Sequence, residues 1–285
     1  MKNKSKCKVQ NAKCKSAARR VFFYFCLLPF AFCILTFSSG PLSIGQVVIT
    51  AKAPQETTKA NPQDDRILPS VVQLVSVGPA NQEQNHTCSA TAFLIDEEGY
   101  LITNAHVVED AKRCLEKAAG AKILAKLAIT DSRTAQAVPC EVIGIDAPND
   151  VALLRTERPL VVNAGDMPPY ALLDTREVAV GTAVRVSGYP AFSWQAVTQA
   201  GHVRWSGRTR LEESDSSHPN PSDAMDVDIH LRPGNSGSPV YRPGGGVIAV
   251  VDRRNSLQPS HSVAVAIHYA IELAERFGAP WHGVD

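Results

Sequence analysis

Short apolar runs bounded by turn residues fill the chain from about residue 67 onwards. Runs at 71–77, 123–130, 137–145 and 151–154 predict strands, and 90–95 with 100–103 predict a hairpin across Asp96-Glu97-Glu98-Gly99. A second set of strands is predicted at 177–180, 183–187, 196–205, 224–229, 247–251 and 262–267. Helical character is confined to 107–119, stopping at Gly120, and to 268–277, stopping at Gly278. Many short strands with little helix predict barrels or a sandwich rather than an α/β sheet.

The chain begins with a different pattern. Residues 1–20 carry Lys2, Lys4, Lys6, Lys8, Lys13, Lys15, Arg19 and Arg20 and no acid, and residues 21–37 form an uncharged run of seventeen rich in Phe, Leu and Cys. That length is the lower edge for spanning a bilayer and the upper edge for a signal-peptide core. The cationic flank predicts a cytoplasmic head at 1–20, a transmembrane anchor or signal peptide at 21–39, and export of everything beyond. The length of the basic region favours an uncleaved membrane anchor through residues 21–37; cleavage would instead release a secreted protein. Residues 40–66, rich in Gln, Thr, Lys, Pro and Asn, are predicted to be a flexible spacer, leaving 67–280 as the folded unit.

Charge and cysteine usage narrow the partners. The whole 285-residue chain has a formal net charge of +1, so removing the eight cations of the head leaves the rest at −7 (+1 less 8). A mildly acidic body argues against nucleic acid as its partner. Cys7, Cys14, Cys26 and Cys33 lie in the head and the apolar run, so only Cys88, Cys114 and Cys140 reach the exported body. An oxidising compartment permits one disulfide among these three; three buried free thiols are the other reading.

The candidate chemistry centres on Pro233-Gly234-Asn235-Ser236-Gly237-Ser238-Pro239-Val240. Glycines on both sides of Ser236 let the backbone take a turn in which two N–H groups converge on one oxyanion. The same residues also suit a hairpin tip. A serine hydroxyl is a weak nucleophile until a base removes its proton. His106 closes the strand-like Tyr100-Leu101-Ile102-Thr103-Asn104-Ala105, and Asp150 stands before Val151-Ala152-Leu153-Leu154. The remaining histidines (His86, His202, His218, His230, His261, His268 and His282) form no His-x-x-x-His pair, so no metal is expected, and the chemistry calls for no cofactor.

In their order, His106, Asp150 and Ser236, and in their surroundings, Thr103-Asn104-Ala105-His106-Val107-Val108, Asn149-Asp150-Val151-Ala152-Leu153-Leu154 and Gly234-Asn235-Ser236-Gly237, the chain resembles trypsin-like (chymotrypsin-fold) serine peptidases. It is most similar to their HtrA/Deg branch. The resemblance spans about residues 68 to 277. It implies an all-β fold of two packed six-stranded antiparallel β-barrels, about 67–160 and 170–268, with a C-terminal helix. His106 and Asp150 would come from the first barrel and Ser236 from the second. It also implies a triad of His106 as general base, Asp150 as its orienting acid and Ser236 as nucleophile, with the N–H groups of Gly234 and Ser236 as oxyanion hole. Cys88 and Cys114 become the favoured disulfide, because their segments are neighbours in the resembled fold.

Several positions depart from the family pattern. Asn235 stands where digestive trypsin-like enzymes carry the Asp that receives a newly cut N-terminus, so activation by that cut is not expected; the HtrA/Deg branch shares the Asn. Ser89-Ala90-Thr91-Ala92 replaces that branch's usual Gly-Ser-Gly approach. Eight residues follow Phe277, too few for a PDZ domain. His230, six residues before Ser236, replaces the acid that binds Lys or Arg, so cleavage after basic residues is disfavoured. The resemblance assigns substrate contacts to His230 and to Val250, Val251 and Asp252, which would pair with the substrate backbone as an added strand. A small or medium apolar residue is expected before the cut, and a His230-assisted preference for Glu or Asp is the sharper alternative. The expected function is an exported serine endopeptidase acting on polypeptide segments. A catalytically silent protease-fold scaffold and an esterase using the same triad are the rivals.

Overall fold

A computed structural model describes residues 67–77, 86–116, 122–127, 137–160, 169–209 and 222–284. The head, the apolar run 21–37 and the spacer lie outside these residues, as do the side chains of Cys88 and Cys114. Among the described residues no helix is long and apolar enough to cross a membrane.

The first barrel is a closed ring of six strands: β1 (Val71–Val77), β2 (His86–Leu94), β3 (Tyr100–Thr103), β4 (Lys122–Leu127), β5 (Ala137–Asp146) and β6 (Val151–Thr156). They pair antiparallel in the order β1-β2-β3-β6-β5-β4, and β1 closes on β4. Between β3 and β4 lies helix α1 (Ala105–Glu116). The hairpin from β2 to β3 turns where predicted: Tyr100 N–H donates to Asp96 Oδ1 at 2.8 Å and Ile95 N–H to Tyr100 O at 3.0 Å.

The second barrel uses β8 (Ala183–Gly188), β9 (Val197–Thr209), β10 (Ser222–Val227), β11 (Pro239–Tyr241), β12 (Gly246–Arg254) and β13 (Ser262–Ala266). Their order is β11-β8-β9-β10-β13-β12, closed by the pairing of β11 with β12. A short strand ahead of them, β7 (Leu172–Leu173), joins β12 in parallel, a seventh member that the sequence pattern does not announce. The closing helix α2 is His268–Arg276.

Alternation along the strands separates three cores. Leu101, Ala152 and Leu154 point into the first barrel with Val72, Leu74 and Leu94. Val184, Val186, Val203, Val227 and Ile248 fill the second. Ile102, Val151 and Leu153, on the opposite face of β3 and β6, join Tyr189, Val250 and the α2 residues Ile271 and Leu273 in a cluster between the barrels. Strand β6 is therefore buried on both faces, which explains its unbroken apolar run. Each such fully buried Leu or Ile contributes roughly 1.5–3 kcal/mol, so burial at the seam stabilises the fold as burial inside the barrels does.

Two predicted elements differ. Residues 177–180 form no strand: Arg242 Nη2 donates to the carbonyls of Arg176 and Glu177 at 3.2 and 2.8 Å, so side chains satisfy backbone that a ladder would otherwise pair. Helix α1 begins at Ala105, two residues earlier than its apolar spacing suggests, and so contains His106.

Candidate active site

The acid and the base are brought together by two chain reversals. Asp150 ends the 3-10 turn Ala147–Asn149 in the left-handed region, at φ 50°, immediately before β6. A non-glycine residue there is uncommon, although Asp is among the side chains that tolerate it. Asn104 Nδ2 donates to the Asp150 carbonyl at 3.0 Å, and Ser222 Oγ donates to Asn149 Oδ1 at 2.7 Å, so both barrels hold the turn. The buried carboxylate then faces the first turn of α1. Asp150 Oδ1 accepts the backbone N–H of His106 at 2.9 Å, and Oδ2 lies 2.8 Å from His106 Nδ1. An acid at a helix N-terminus is favoured by the unpaired N–H groups there. The same contact orients the imidazole, whose side chain stays 35 % exposed.

The Ser236 turn is braced from the first barrel by Thr91. Thr91 N–H donates to the Ser236 carbonyl at 3.0 Å and Thr91 Oγ1 to the Gly234 carbonyl at 2.8 Å. That hydroxyl in turn accepts the Tyr189 N–H at 3.0 Å, and the Thr91 carbonyl accepts Thr103 Oγ1 at 2.8 Å. Gly237 has φ +83°, and a Cβ there would stand 2.1 Å from the Thr91 carbonyl oxygen, so only glycine admits the close approach. Gly234, at φ +99°, would likewise press a Cβ to 2.3 Å from the Tyr189 carbonyl oxygen. Within the turn, Asn235 N–H donates to Arg232 O, Gly237 N–H to Val251 O and Ser238 N–H to Asn235 O. Among the described residues the N–H groups of Gly234 and Ser236 donate to no protein acceptor. Asn235 itself is buried, at 2 % exposure.

His106, Asp150 and Ser236 line one cavity of about 340 Å³ together with Leu231, Arg232, Pro233 and Asn235 and with Val251, Asp252, Arg253 and Arg254 of β12. The Ser236 hydroxyl donates to the Asp252 carbonyl at 3.3 Å rather than to the imidazole. His230, by contrast, lies outside the lining: it is exposed, with Nδ1 2.7 Å from the Pro259 carbonyl oxygen. Val250 and Val251 also differ from their expected use. Val250 pairs with Pro239 and Val265, and Val251 donates to Ser238 O while accepting from Gly237, so their backbones are occupied within the barrel. The edge of β12 beyond β11 and the Ser236 turn begins at Asp252.

Asp252 is expected to meet substrate through its backbone, and its side chain adds a feature that this expectation does not include. Its side chain turns inward rather than to a substrate and is only 7 % exposed. Ligand-type atoms of His106, Asp150 and Asp252 all lie within 4.8 Å of one another. Arg253 Nη1 donates to Asp252 Oδ2 at 2.7 Å. As possible cation ligands the three are already committed, Nδ1 and Oδ2 of the His106–Asp150 pair to each other and Asp252 to Arg253. Burial and the neighbouring charge of Asp150 push the Asp252 carboxyl up to about 7, against the pull of Arg253 and His106. For His106, burial alone would lower the pKa; the hydrogen bond and charge of Asp150, aided by Asp252 and Asp110, raise it instead. Cys140, the cysteine with a described side chain, is a free thiol pushed up to about 12 by burial, and so is unreactive.

Thr91 and Asn104 were not singled out as site residues from sequence. The weak signal for both was position: a polar residue inside an apolar strand, and a polar residue directly before a helix.

Comparison with known proteins identifies the family and the fold. The model of the trypsin-like peptidase domain matches residues 90–250, more than half of the chain. A probable periplasmic serine endoprotease, DegP-like, of Halomonas elongata is 28% identical over 206 residues, covering 70% of this chain and 37% of that protein. A DegP-like relative in Chlamydia pneumoniae is 29% identical over 175 residues, covering 60% of this chain and 30% of its own. The chain thus spans about a third of the length of the curated relatives it matches. Among solved structures, the active form of the Rv3671c protease of M. tuberculosis superposes with a TM-score of 0.58 at 21% identity, covering 89% of this chain and 97% of that one. An HtrA-type protease solved with a tripeptide gives 0.55 at 21% identity, covering 74% and 60%. With both barrels, the paired His106 and Asp150 and the Ser236 turn in place, the chain belongs to the trypsin-like peptidase domain family.

Proposed function

We propose that the protein is a serine endopeptidase that cuts polypeptide segments in an exported compartment. The observation that carries this reading is the one cavity lined by both Ser236 and the hydrogen-bonded His106–Asp150 pair, at a turn where the Gly234 and Ser236 N–H groups have no protein acceptor among the described residues. In the reaction the Ser236 hydroxyl leaves the Asp252 carbonyl by a rotation between staggered χ1 wells and donates to His106 Nε2. As Oγ attacks the peptide carbonyl carbon, His106 takes its proton and Asp150 stabilises the imidazolium. The carbonyl oxygen becomes an oxyanion held by the Gly234 and Ser236 N–H groups, each donor supplying about 3–4 kcal/mol in such sites. His106 then gives the proton to the leaving amine. Water repeats the sequence to release the acyl group from Ser236.

The substrate would lie as an added strand along Asp252, Arg253 and Arg254, the part of β12 left open by β11. Leu231 and Val251 offer apolar contact beside the nucleophile, and Arg232, Arg253 and Arg254 give the cavity a cationic rim. The basic head, the apolar run 21–37 and the periplasmic naming of the relatives together support an exported catalytic unit tethered to a membrane. Hydrolysis of casein by the full chain tests the reading. Ser236→Ala is expected to abolish it while leaving the melting temperature nearly unchanged; turnover near the native rate would exclude Ser236 as nucleophile.

A further inference from the structure

The carboxyls of Asp150 and Asp252 both lie close to the imidazole of His106, although the triad chemistry needs only one of them. One ligand-type atom from each carboxyl and one ring nitrogen of His106 all fall within 4.8 Å of one another, and the Asp252 side chain is only 7 % exposed. The groups around Asp252 come from each packed element. Asp150 stands at the mouth of β6, His106 is on α1, and Arg253 lies on β12 itself with its guanidinium 2.7 Å from Oδ2. Beyond them, Asp110 acts on His106, and Arg232 and Arg254 stand along the cavity. One guanidinium cannot balance two buried carboxylates, and like charges at this separation cannot both ionise without cost. A carboxylic acid is an O–H donor only while protonated.

We propose that Asp252 is a positioning residue for the base: its carboxyl carries the one proton that the two acids share and donates it to Asp150, leaving Asp150 as the single anion facing His106. Asp150 is then held by the backbone N–H and the Nδ1–H of His106 and by the Asp252 hydroxyl. Loss of that proton as pH rises places a second negative charge near the imidazole. The imidazolium is thereby retained to higher pH, and the neutral base needed to accept the Ser236 proton is withheld. Proton loss from Asp252 and from His106 is therefore coupled, and the two steps belong to the group rather than to either residue. The near-neutral ionisation of Asp252 agrees with this arrangement.

The proposal rests on the peptidase reading for its purpose but not for its test. The His106 ring is followed by nitrogen-15 NMR across pH in the full chain without substrate, for the native protein, Asp252→Asn and Asp252→Ser. The native ring is expected to titrate in two coupled steps. Both variants, which cannot ionise at 252, are expected to titrate in one step shifted to lower pH by at least about half a unit. The acid limb of kcat/KM should move with it. A native ring that titrates in a single step, or variants whose ring pKa is unmoved or higher, would overturn the proposal. Two replacements of different bulk keep the comparison readable if one fails to fold, and the native two-step titration needs neither. Because no turnover is required, a failure here is distinct from a failure of Ser236 to act as nucleophile.

Discussion

Thr91 in the first barrel donates its hydroxyl to the carbonyl oxygen of Gly234 in the second, across 143 positions of sequence, at 2.8 Å. The bond fixes the carbonyl of Gly234, between the two N–H groups, of Gly234 and Ser236, that have no protein acceptor among the described residues. Thr91→Val keeps the shape of the side chain and deletes the hydroxyl, leaving the Gly234 carbonyl and the Tyr189 N–H short of a partner. A lost hydrogen bond of this kind costs about 1–2 kcal/mol, so kcat is expected to fall about tenfold with KM little changed. A variant with native kcat would show that the turn holds without the brace.

Stability should carry the signature of the Asp252 proton. Its carboxyl is raised to about 7 in the folded protein, against about 3.9 for an unfolded Asp. Between those values the folded state binds more protons than the unfolded state, so stability falls as pH rises through the window and is level above it. Asp252→Asn cannot ionise and escapes that loss. Thermal melts from pH 4 to pH 8 are expected to show the variant gaining on the native protein as pH rises. A constant difference across the series would mean that Asp252 folds as an ordinary carboxylate.

Cleavage specificity follows from the cavity wall. Arg232 and Arg254 are exposed along the cavity, and Arg253 is paired with buried Asp252, so a Lys or Arg side chain would enter beside guanidinium groups. In a peptide-library profile, cleavage after Lys or Arg should be at least about tenfold below cleavage after Leu, Val or Ala, equivalent to about 1.4 kcal/mol. The double variant Arg232→Glu, Arg254→Glu should narrow that gap. Dominant cleavage after basic residues in the native protein would refute this account of the wall.

Local pattern made much of the framework legible. Val71–Val77 and Tyr100–Thr103 are strands at the bounds expected of them, and His106, Asp150 and Ser236 stood out because turn and strand signals flank each. Residues whose role depends on distant chain were not legible. Asp252 follows an apolar strand, where an edge contact to substrate is the natural expectation; only the arrival of Asp150, from the other barrel, turns it into half of an acid pair. Thr91 looks like a small strand residue until the Ser236 turn lands on it. His230 has the expected distance in sequence from Ser236, but the chain turns it outward to Pro259. Strand β11, three residues long, is too short for alternation to register.

Covalent labelling by a fluorophosphonate, located by mass spectrometry, addresses the central claim, because the reagent reacts only with a serine whose proton is being removed. The native full chain is expected to carry the label on Ser236, while His106→Ala and Asp150→Ala, still folded, react at least about a hundredfold more slowly. A folded native chain that takes no label at Ser236, or a His106→Ala variant that labels at the native rate, would contradict it.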